Sequence, residues 1–313
     1  MTSSLPSTFD EPVLLGVIGG TGLYHLETLT PVARLTISTP WGHPSSQITI
    51  SRTKTGFPIA FLARHGVHHQ FNPSEVPARA NIAALKSIGV KAIIAFSAVG
   101  SLQEHIKPRD FVLPNQIIDR TKGIRPSSFF ENGIVGHTGF GDPFDDQLAA
   151  VIARASPVLE ASGVSLHTKQ TEGKDLTLVC MEGPAFSTRA ESHIYRSFGA
   201  SIINMSAIPE AKLAKEAEIS YQMICTSTDY DAWREGEEAV TVEIVVGHLK
   251  ANAQNAHNFT VAILEHLEDE IKSGKVGNSL EGSMRYAVST SPSAISRSSL
   301  EKLHFILPGY WPL

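Results

Sequence analysis

The stretch "GVIGGTGLY", residues 16–24, directly follows the apolar run Val13-Leu14-Leu15. A short apolar run that ends in clustered glycines is typical of a strand that leads into a tight turn. Such a turn can hold a dinucleotide, a nucleotide phosphate or a free anion, because glycine lets backbone N–H groups point into one concavity. A turn that uses glycine only for its positive φ is the simpler alternative.

A dinucleotide site requires the pattern Gly-x-Gly-x-x-Gly followed by a helix. Gly20 and Gly22 supply the first pair, but His25 occupies the position of the third glycine, and residues 27–38 read as a turn and then a strand. The pattern therefore disfavours a nicotinamide-dependent enzyme. An anion-binding turn, to which Thr21 adds a hydroxyl donor, and a plain tight turn both stay open at this point.

Strand-like apolar runs alternate with helical patterns along most of the chain. Candidate strands cover residues 13–18, 33–38, 47–51, 58–63, 91–97, 111–118, 176–181, 201–204 and 221–226, and candidate helices cover 77–87, 147–162, 188–198, 209–218 and 242–272. Strands separated by helices indicate crossover connections, whereas the closely spaced early strands, with turns at Gly42 and Gly56, indicate antiparallel hairpins. We therefore predict a single α/β domain whose mixed, mostly parallel central sheet is flanked by helices.

The domain is expected to cover residues 13–272. Residues 1–12 read as a flexible lead-in. Residues 273–299 turn to serine, glycine and scattered charge without a sustained period, which predicts a disordered insertion. Residues 300–313 are apolar enough to dock back onto the domain.

The composition of the 313-residue chain, 42% hydrophobic and 18% charged, is typical of a soluble protein. A net charge of −5 disfavours nucleic-acid and anionic-membrane partners, and no segment approaches the roughly 18 apolar residues of a membrane span. The N-terminus lacks the pattern of a secretory signal. Cys180 and Cys225 lie in apolar runs and fit no metal spacing, which favours buried reduced thiols and a cytoplasmic, or else nuclear, location.

A cationic segment follows the fourth candidate strand. Arg64 offers a rigid fork that matches phosphate, Gly66 lets the chain turn, and His65, His68 and His69 add ring nitrogens. No carboxylate lies at a helical offset to complete a metal site, and no metal is expected. A solvated loop with incidental histidines is the alternative, but the position at a strand end favours ligand binding.

Two further strand ends carry residues suited to a ligand. Residues 97–101 are small, which lets a ligand approach the backbone or merely permits close packing. Phe186 lies on the loop after the strand at 176–181, where its ring can stack on a planar ligand or fill core. Ser187 or Thr188 can cap the helix that follows.

Asp229 and Asp231 follow a buried strand and form the sharpest chemical feature of the chain. Two carboxylates this close repel each other, and burial would raise the pKa of at least one. A protonated aspartate can donate to a leaving nitrogen, and an ionised one can accept from an amine. A polar turn is the alternative interpretation.

Six segments, in order, resemble the nucleoside phosphorylases of the trimeric purine class: GVIGGTGL, LARHG, FSAVGSL, MEGPAFSTRAE, INMSAIPEAKLAKEA and STDYDAW. The resemblance runs from about residue 13 to about residue 272, resumes near Phe305, and is greatest to the branch that acts on methylthioadenosine. It implies phosphorolysis of this nucleoside to adenine and S-methyl-5-thio-alpha-D-ribose 1-phosphate. Inorganic phosphate is then a co-substrate, and no cofactor is implied.

The resemblance also implies roles for individual residues. Phosphate is expected to contact Thr21, Arg64, His65, Ser97, Ala98 and Ser206. Ser206, Asp229 and Asp231 are expected to be the catalytic residues. Familiar members of the branch have threonine in place of Ser97 and Ser206. The base is expected between Phe186 and Ser187, with Met205 under the ribose.

Base and sugar selectivity follow from the same resemblance. Asp229 and Asp231 are expected to face N7 and the 6-amino group, which favours adenine over 6-oxopurines. Val242, Val245 and Ile306 would form an apolar wall for the 5′-methylthio group. His137 would close this pocket from a neighbouring subunit, which implies a homotrimer.

Two other functions are compatible with these residues. A purine nucleoside phosphorylase acting on adenosine or on 6-oxopurine nucleosides is the alternative enzyme. A non-catalytic protein of the same fold would bind the nucleoside without releasing adenine.

Overall fold

The computed structural model describes residues 5–19, 29–235 and 240–312. Within them a sheet contains eleven strands. The strands are β1 (Leu15–Gly19), β2 (Thr30–Leu35), β3 (Ile48–Arg52), β4 (Pro58–Ala63), β5 (Ala92–Ser101), β6 (Phe111–Val112), β7 (Gln116–Arg120), β8 (Leu166–His167), β9 (Thr177–Met181), β10 (Ile202–Asn204) and β11 (Ser220–Asp229). The helices are α1 (Ala78–Ser87), α2 (Asp146–Ala153), α3 (Ser156–Glu160), α4 (Lys169–Glu172), α5 (Arg189–Ser197), α6 (Ala207–Glu216), α7 (Val242–Ala251), α8 (Ala253–Lys272) and α9 (Arg297–Ile306).

The ten-residue strand β5 is the centre of the sheet. It pairs in parallel with β1 and β11, and its last residues pair antiparallel with β10. From β1 the sheet continues through the parallel neighbour β4 to the antiparallel strands β3 and β2, and from β10 it continues through β9 to β7. The predicted mixed, mostly parallel sheet is confirmed, including its antiparallel N-terminal hairpins.

Two hydrophobic layers cover the sheet. Successive side chains of a strand point to opposite faces, so Ile18 of β1 belongs to the layer with α1, α6 and α9, whereas Val17 belongs to the layer with α2, α3 and α8. Strand β1 is buried along its whole length, as expected for a parallel strand covered on both sides.

Several predicted elements are divided in the structure. The apolar run 111–118 forms two strands, β6 and β7, on either side of Pro114, which has no N–H to donate. The helical pattern 242–272 divides at Asn252, whose buried side-chain amide donates to the carbonyl of Arg109 at 2.8 Å. The pattern 147–162 divides into α2 and α3, with Pro157 in the first turn of α3.

The segment 273–299, predicted to be disordered, lies against the domain. The buried carboxylate of Glu218 accepts hydrogen bonds from the backbone N–H groups of Gly282 (3.0 Å) and Met284 (2.7 Å) and from the hydroxyl of Tyr310 (2.6 Å). Met284 is itself buried in the core. The prediction failed because an irregular segment can be held by one buried acceptor without any periodic pattern.

The described part of the lead-in, residues 5–12, also contacts the domain. Phe9 packs against the core, and the carbonyl of Pro6 accepts from the N–H of Arg34 in β2 at 2.8 Å. Residues 300–312 dock onto the domain through α9, whose Ile306 is completely buried. In the described residues no helix is both long enough and apolar enough to cross a membrane.

Candidate active site

A cavity of about 550 Å³ opens where the carboxyl ends of β4, β5, β10 and β11 meet. Carboxyl ends of parallel strands are where open α/β sheets bind ligands. The cavity brings together eleven of the residues that the sequence predicts for the site: Arg64, His65, Ser97, Ala98, Phe186, Met205, Ser206, Asp229, Asp231, Val242 and Val245.

Two serine hydroxyls form one end of the cavity. Ser97 follows Phe96 within β5, and Ser206 directly precedes α6; their Oγ atoms lie 3.1 Å apart. The buried side chain of Asn204 donates to Ser97 Oγ at 3.1 Å and lies 3.4 Å from Ser206 Oγ. Asn204, which the sequence analysis did not single out, therefore orients both hydroxyls.

The guanidinium of Arg64 forms an ion pair with the carboxylate of Glu210. Its Nε and Nη2 each donate at 2.8 Å to Glu210, and Nη1 donates at 2.7 Å to the carbonyl of Phe96. Both charged side chains are only 2% exposed. Arg64 lines the cavity as predicted, and the edge formed by its Nε and Nη2 binds Glu210, because a bidentate carboxylate matches that donor edge. Its contact with phosphate stays a prediction.

His65 contributes a neutral imidazole beside this pair. Its Nδ1 lies 2.9 Å from the carbonyl of Phe71, and its ring stacks on that of His69 at 4.5 Å. A carbonyl only accepts, so Nδ1 carries the proton and Nε2 is left as an acceptor. Burial, aided by the positive charge of Arg64, lowers the pKa of His65 to about 4.

Asp229 also lines the cavity and faces Gly100, three residues beyond Ser97 along β5, where the pairing of β11 with β5 is irregular. Ser227 faces Val99 and Asp229 faces Gly100, so Thr228 is the extra residue of a β-bulge, a feature that redirects side chains. Asp229 Oδ2 accepts from the Thr228 hydroxyl at 2.7 Å, and Oδ1 accepts from the N–H of Asp231 at 2.8 Å.

Gly100 provides the space that Asp229 needs. A Cβ at position 100 would lie 3.1 Å from Asp229 Oδ1 and 3.2 Å from Asp231 Cβ. Burial raises the pKa of the Asp229 carboxyl, and the neighbouring charge of Asp231 adds to this effect. The structure therefore makes a protonated Asp229 easier to form than an exposed aspartate.

Asp231 presents a buried acceptor. It has a left-handed φ of 49°, which aspartate tolerates better than most residues, and its Oδ2 is buried with no hydrogen-bond partner within the described residues. Burial also raises its pKa, an effect opposed by the nearby Ser192 and Ser187 hydroxyls. A buried unpaired oxygen is costly, so a ligand N–H at this position would be strongly favoured.

The cavity wall between its two polar ends is formed by the loop after β9 and by α7. Phe186 is 41% exposed, and Met205 lies against Gly183, where an added Cβ would meet the Met205 sulfur at 2.3 Å. Thr188, rather than Ser187, caps α5 through a capping box with Glu191. Val242, Val245 and Val246 of α7 add an apolar lining.

Four predicted site residues are not brought into this cavity. Ser187, next to Phe186, is half-buried but does not line it, and its Oγ lies 3.5 Å from the Met181 sulfur. Thr21 lies outside the described residues. Ile306 is a correction: it is fully buried in the core between α9 and the sheet, because its helix packs inward on α1 rather than toward the cavity. His137 is exposed, and its N–H donates to the carbonyl of Ala287 at 2.9 Å; its predicted role in another subunit's pocket stays a prediction.

Comparison with known proteins places this geometry in a family. The model of the phosphorylase superfamily matches residues 14–265. This chain belongs to that superfamily. The match covers the strands and loops that form the cavity of this phosphorylase.

Individual members of the superfamily give a more specific likeness. The phosphorylase is 64% identical to the S-methyl-5′-thioadenosine phosphorylase of Yarrowia lipolytica, over 98% of this chain and 96% of the relative. Its structure is similar to that of a methylthioadenosine phosphorylase from an antarctic soil metagenomic library, with a TM-score of 0.85, 40% identity and coverage of 96% and 100%. A Schistosoma mansoni methylthioadenosine phosphorylase in complex with adenine gives a TM-score of 0.78, 30% identity and coverage of 88% and 99%.

The protonation state of His65 is a direct test of the site. In the ligand-free protein we expect the His65 ring to titrate near pH 4 rather than at its ordinary value of 6.5. Because the folded-state pKa is the lower one, the unfolded chain binds this proton first, and the stability of the fold falls as the pH falls from about 6.5 toward 4.

The measurement is an NMR titration of the histidine ring nitrogens, with the His65 signals assigned by their loss in His65→Gln. A midpoint at or above 6.5 would contradict the buried, neutral imidazole.

Proposed function

We propose that this chain catalyses the phosphorolysis of S-methyl-5′-thioadenosine to adenine and S-methyl-5-thio-α-D-ribose 1-phosphate. The observation that carries the proposal is the division of one cavity into a hydroxyl end, a carboxylate end and an apolar wall. These match inorganic phosphate, an aminopurine and a methylthio group respectively. The relatives that carry this name, or that bind adenine, support the assignment.

In this proposal phosphate binds at the hydroxyl end. Ser97 and Ser206 donate hydroxyl hydrogen bonds to it once Asn204 holds their oxygens in place. The unprotonated Nε2 of His65 accepts from a P–OH group of hydrogen phosphate. Phosphate oxygen then attacks the anomeric carbon of the ribose while the bond to N9 of the purine breaks. No redox step occurs, and the reaction needs no cofactor.

Asp229 and Asp231 hold the leaving base. As the glycosidic bond breaks, negative charge develops on the purine, and a proton or hydrogen bond from Asp229 to N7 stabilises that charge. The raised pKa of Asp229 suits this donation. The unpartnered Oδ2 of Asp231 accepts from the 6-amino group, which pairs the buried oxygen.

The valines of α7 select the sugar substituent. Val242, Val245 and Val246 line the cavity with methyl groups. A 5′-methylthio group gains contact with this wall, whereas a 5′-hydroxyl would lose its hydrogen bonds to water without replacement. The wall therefore favours methylthioadenosine over adenosine.

The proposal predicts that adenine is released from methylthioadenosine only when phosphate is present. Sulfate at the same ionic strength is the matched control, because it has the shape of phosphate but is a far weaker nucleophile. We expect a catalytic efficiency for methylthioadenosine at least about 10-fold above that for adenosine, the effect of one apolar group in a closely fitting pocket. Inosine is expected to react more slowly than either adenine nucleoside.

The assay is chromatographic detection of the free base. Binding without adenine release would identify a non-catalytic binding protein, and a preference for inosine would identify a 6-oxopurine phosphorylase.

A second prediction concerns base selection by Asp229. Asp229→Asn should lower the catalytic efficiency for methylthioadenosine by about 10²–10⁴-fold, because an amide cannot supply a carboxyl proton to N7. The 6-oxo analogue, 5′-methylthioinosine, should be spared, since the amide N–H can donate to O6. Asp231→Asn is the matched comparison and should have the smaller effect on turnover, because Asp231 is assigned to amine recognition.

The quantity to measure is the ratio of catalytic efficiencies for the 6-amino and 6-oxo substrates in each variant. An unchanged ratio in Asp229→Asn would show that base selectivity lies elsewhere.

We also propose that the active form is a homotrimer in which His137 covers the 5′ pocket of a neighbouring subunit. His137 is exposed on a loop that a bridge between Gly136 and Val288 ties to the C-terminal segment, so the loop is held at the surface. His137→Ala should raise KM for methylthioadenosine more than KM for phosphate. Sedimentation of the wild-type chain during turnover tests the assembly, and a fully active monomer would refute it.

A further inference from the structure

A cluster of His105, His167 and Glu172 lies outside the cavity described above. His105 Nε2 is 2.9 Å from Glu172 Oε2, and His167 Nδ1 is 2.8 Å from Glu172 Oε1. The candidate ligand atoms all lie within 4.8 Å of one another, and no other such group of three occurs in the described residues. His105 and Glu172 are 67 residues apart in sequence, so no spacing motif reveals the group.

A fourth residue, Asp110, binds the second ring nitrogen of His167. His167 Nε2 is 3.1 Å from Asp110 Oδ2, and the Asp110 carboxylate is itself fixed by the backbone N–H groups of Lys107 (2.9 Å) and Ser165 (3.1 Å). Asp110 and His167 are both buried. A carboxylate that binds the second ring nitrogen of a histidine is the usual arrangement behind a metal-ligating histidine, because it fixes the ring orientation and tautomer.

We propose that His105 Nε2, His167 Nδ1 and a carboxylate oxygen of Glu172 bind a divalent transition-metal ion of the zinc class. Two histidines and one carboxylate form an established ligand set for such ions. At metal–ligand distances of about 2.0–2.2 Å, tetrahedral ligand atoms lie about 3.3–3.6 Å apart. The observed contacts of 2.8 and 2.9 Å would therefore lengthen by about 0.4–0.8 Å when the ion binds.

The ion has an entry path and an open coordination position. The His105 side chain is 44% exposed, while Glu172 is 15% and His167 10% exposed, so the group opens to solvent on the His105 side. Binding replaces the proton that bridges His167 Nδ1 and Glu172. That proton leaves to solvent, and no oxidation change is involved.

The position of the cluster indicates a stabilising role rather than a catalytic one. None of its residues lines the active-site cavity. The backbone beside Asp110 pairs with β11, with the Ser227 N–H donating to the Asp110 carbonyl at 2.9 Å. The ion would therefore hold the 102–110 loop against the strand that ends at Asp229, and it should raise thermal stability without supplying a reaction step.

The test uses full-length protein without a histidine tag. Titration with Co²⁺ should give one equivalent of saturable binding with the visible absorption of a four-coordinate ion, and Zn²⁺ should abolish that absorption. His105→Ala should remove the spectrum. The His105 side chain is 44% exposed and hydrogen-bonds to Glu172 at the surface of the cluster, so folding should persist. Asp110→Asn should weaken binding by about 10–100-fold.

His193→Ala, a change at an exposed histidine of α5, is the matched control and should leave the spectrum unchanged. Zn²⁺ should raise the melting temperature of the wild type and of His193→Ala but not of His105→Ala. The absence of saturable Co²⁺ binding, or equal binding by wild type and His105→Ala, would overturn the proposal. Neither result bears on adenine release, which depends on the separate cavity.

Discussion

The buried ion pair between Arg64 and Glu210 is the constraint on which the cavity depends. It joins the end of β4 to α6, and two further contacts extend it: Arg64 donates to the carbonyl of Phe96 in β5, and the hydroxyl of Tyr221 in β11 donates to Glu210 at 2.7 Å. Loss of one partner of such a pair leaves a buried charge and costs about 3–5 kcal/mol. The ion pair and its two further contacts thus connect β5, β11, the end of β4 and α6 at one fixed point.

Three residues that line the cavity are close chain neighbours of this fixed point. His65 follows Arg64, Ser97 follows Phe96, and Ser206 lies four residues before Glu210. The pair therefore fixes the backbone on which His65, Ser97 and Ser206, the groups proposed to bind phosphate, are placed. Arg64 thus contributes to the site by joining the elements that carry these residues.

The parts of the site that could be predicted from sequence are those set by strand ends. His65, Ser97, Met205 and Asp229 follow apolar runs of a largely parallel sheet, and such ends converge whatever the details of packing. The sequence could also indicate that α9 is apolar enough to be buried. It could not indicate which surface would bury Ile306, because an apolar pattern predicts burial but not the partner.

Other features depend on pairings that no local pattern records. Glu210 lies 146 residues from Arg64 and reads only as one charge in a helical pattern. The bulge at Thr228 arises from the register of β11 against β5, which alternation alone does not specify. Glu218 holds the irregular 273–299 segment through backbone donors, and backbone donors are present in every sequence.

Helix α7 differs from the other long helices in having no fully buried residue, although three of its valines line the cavity. It begins at Thr241, whose side chain accepts from Ile244 N–H, and it ends at the anchored Asn252. Displacing α7 as a rigid rod would expose little apolar area, so the free energy of that displacement is set mainly at its two ends. Asn252 is then the fixed point about which such a displacement would turn, and the apolar lining that α7 gives the cavity would move with the helix.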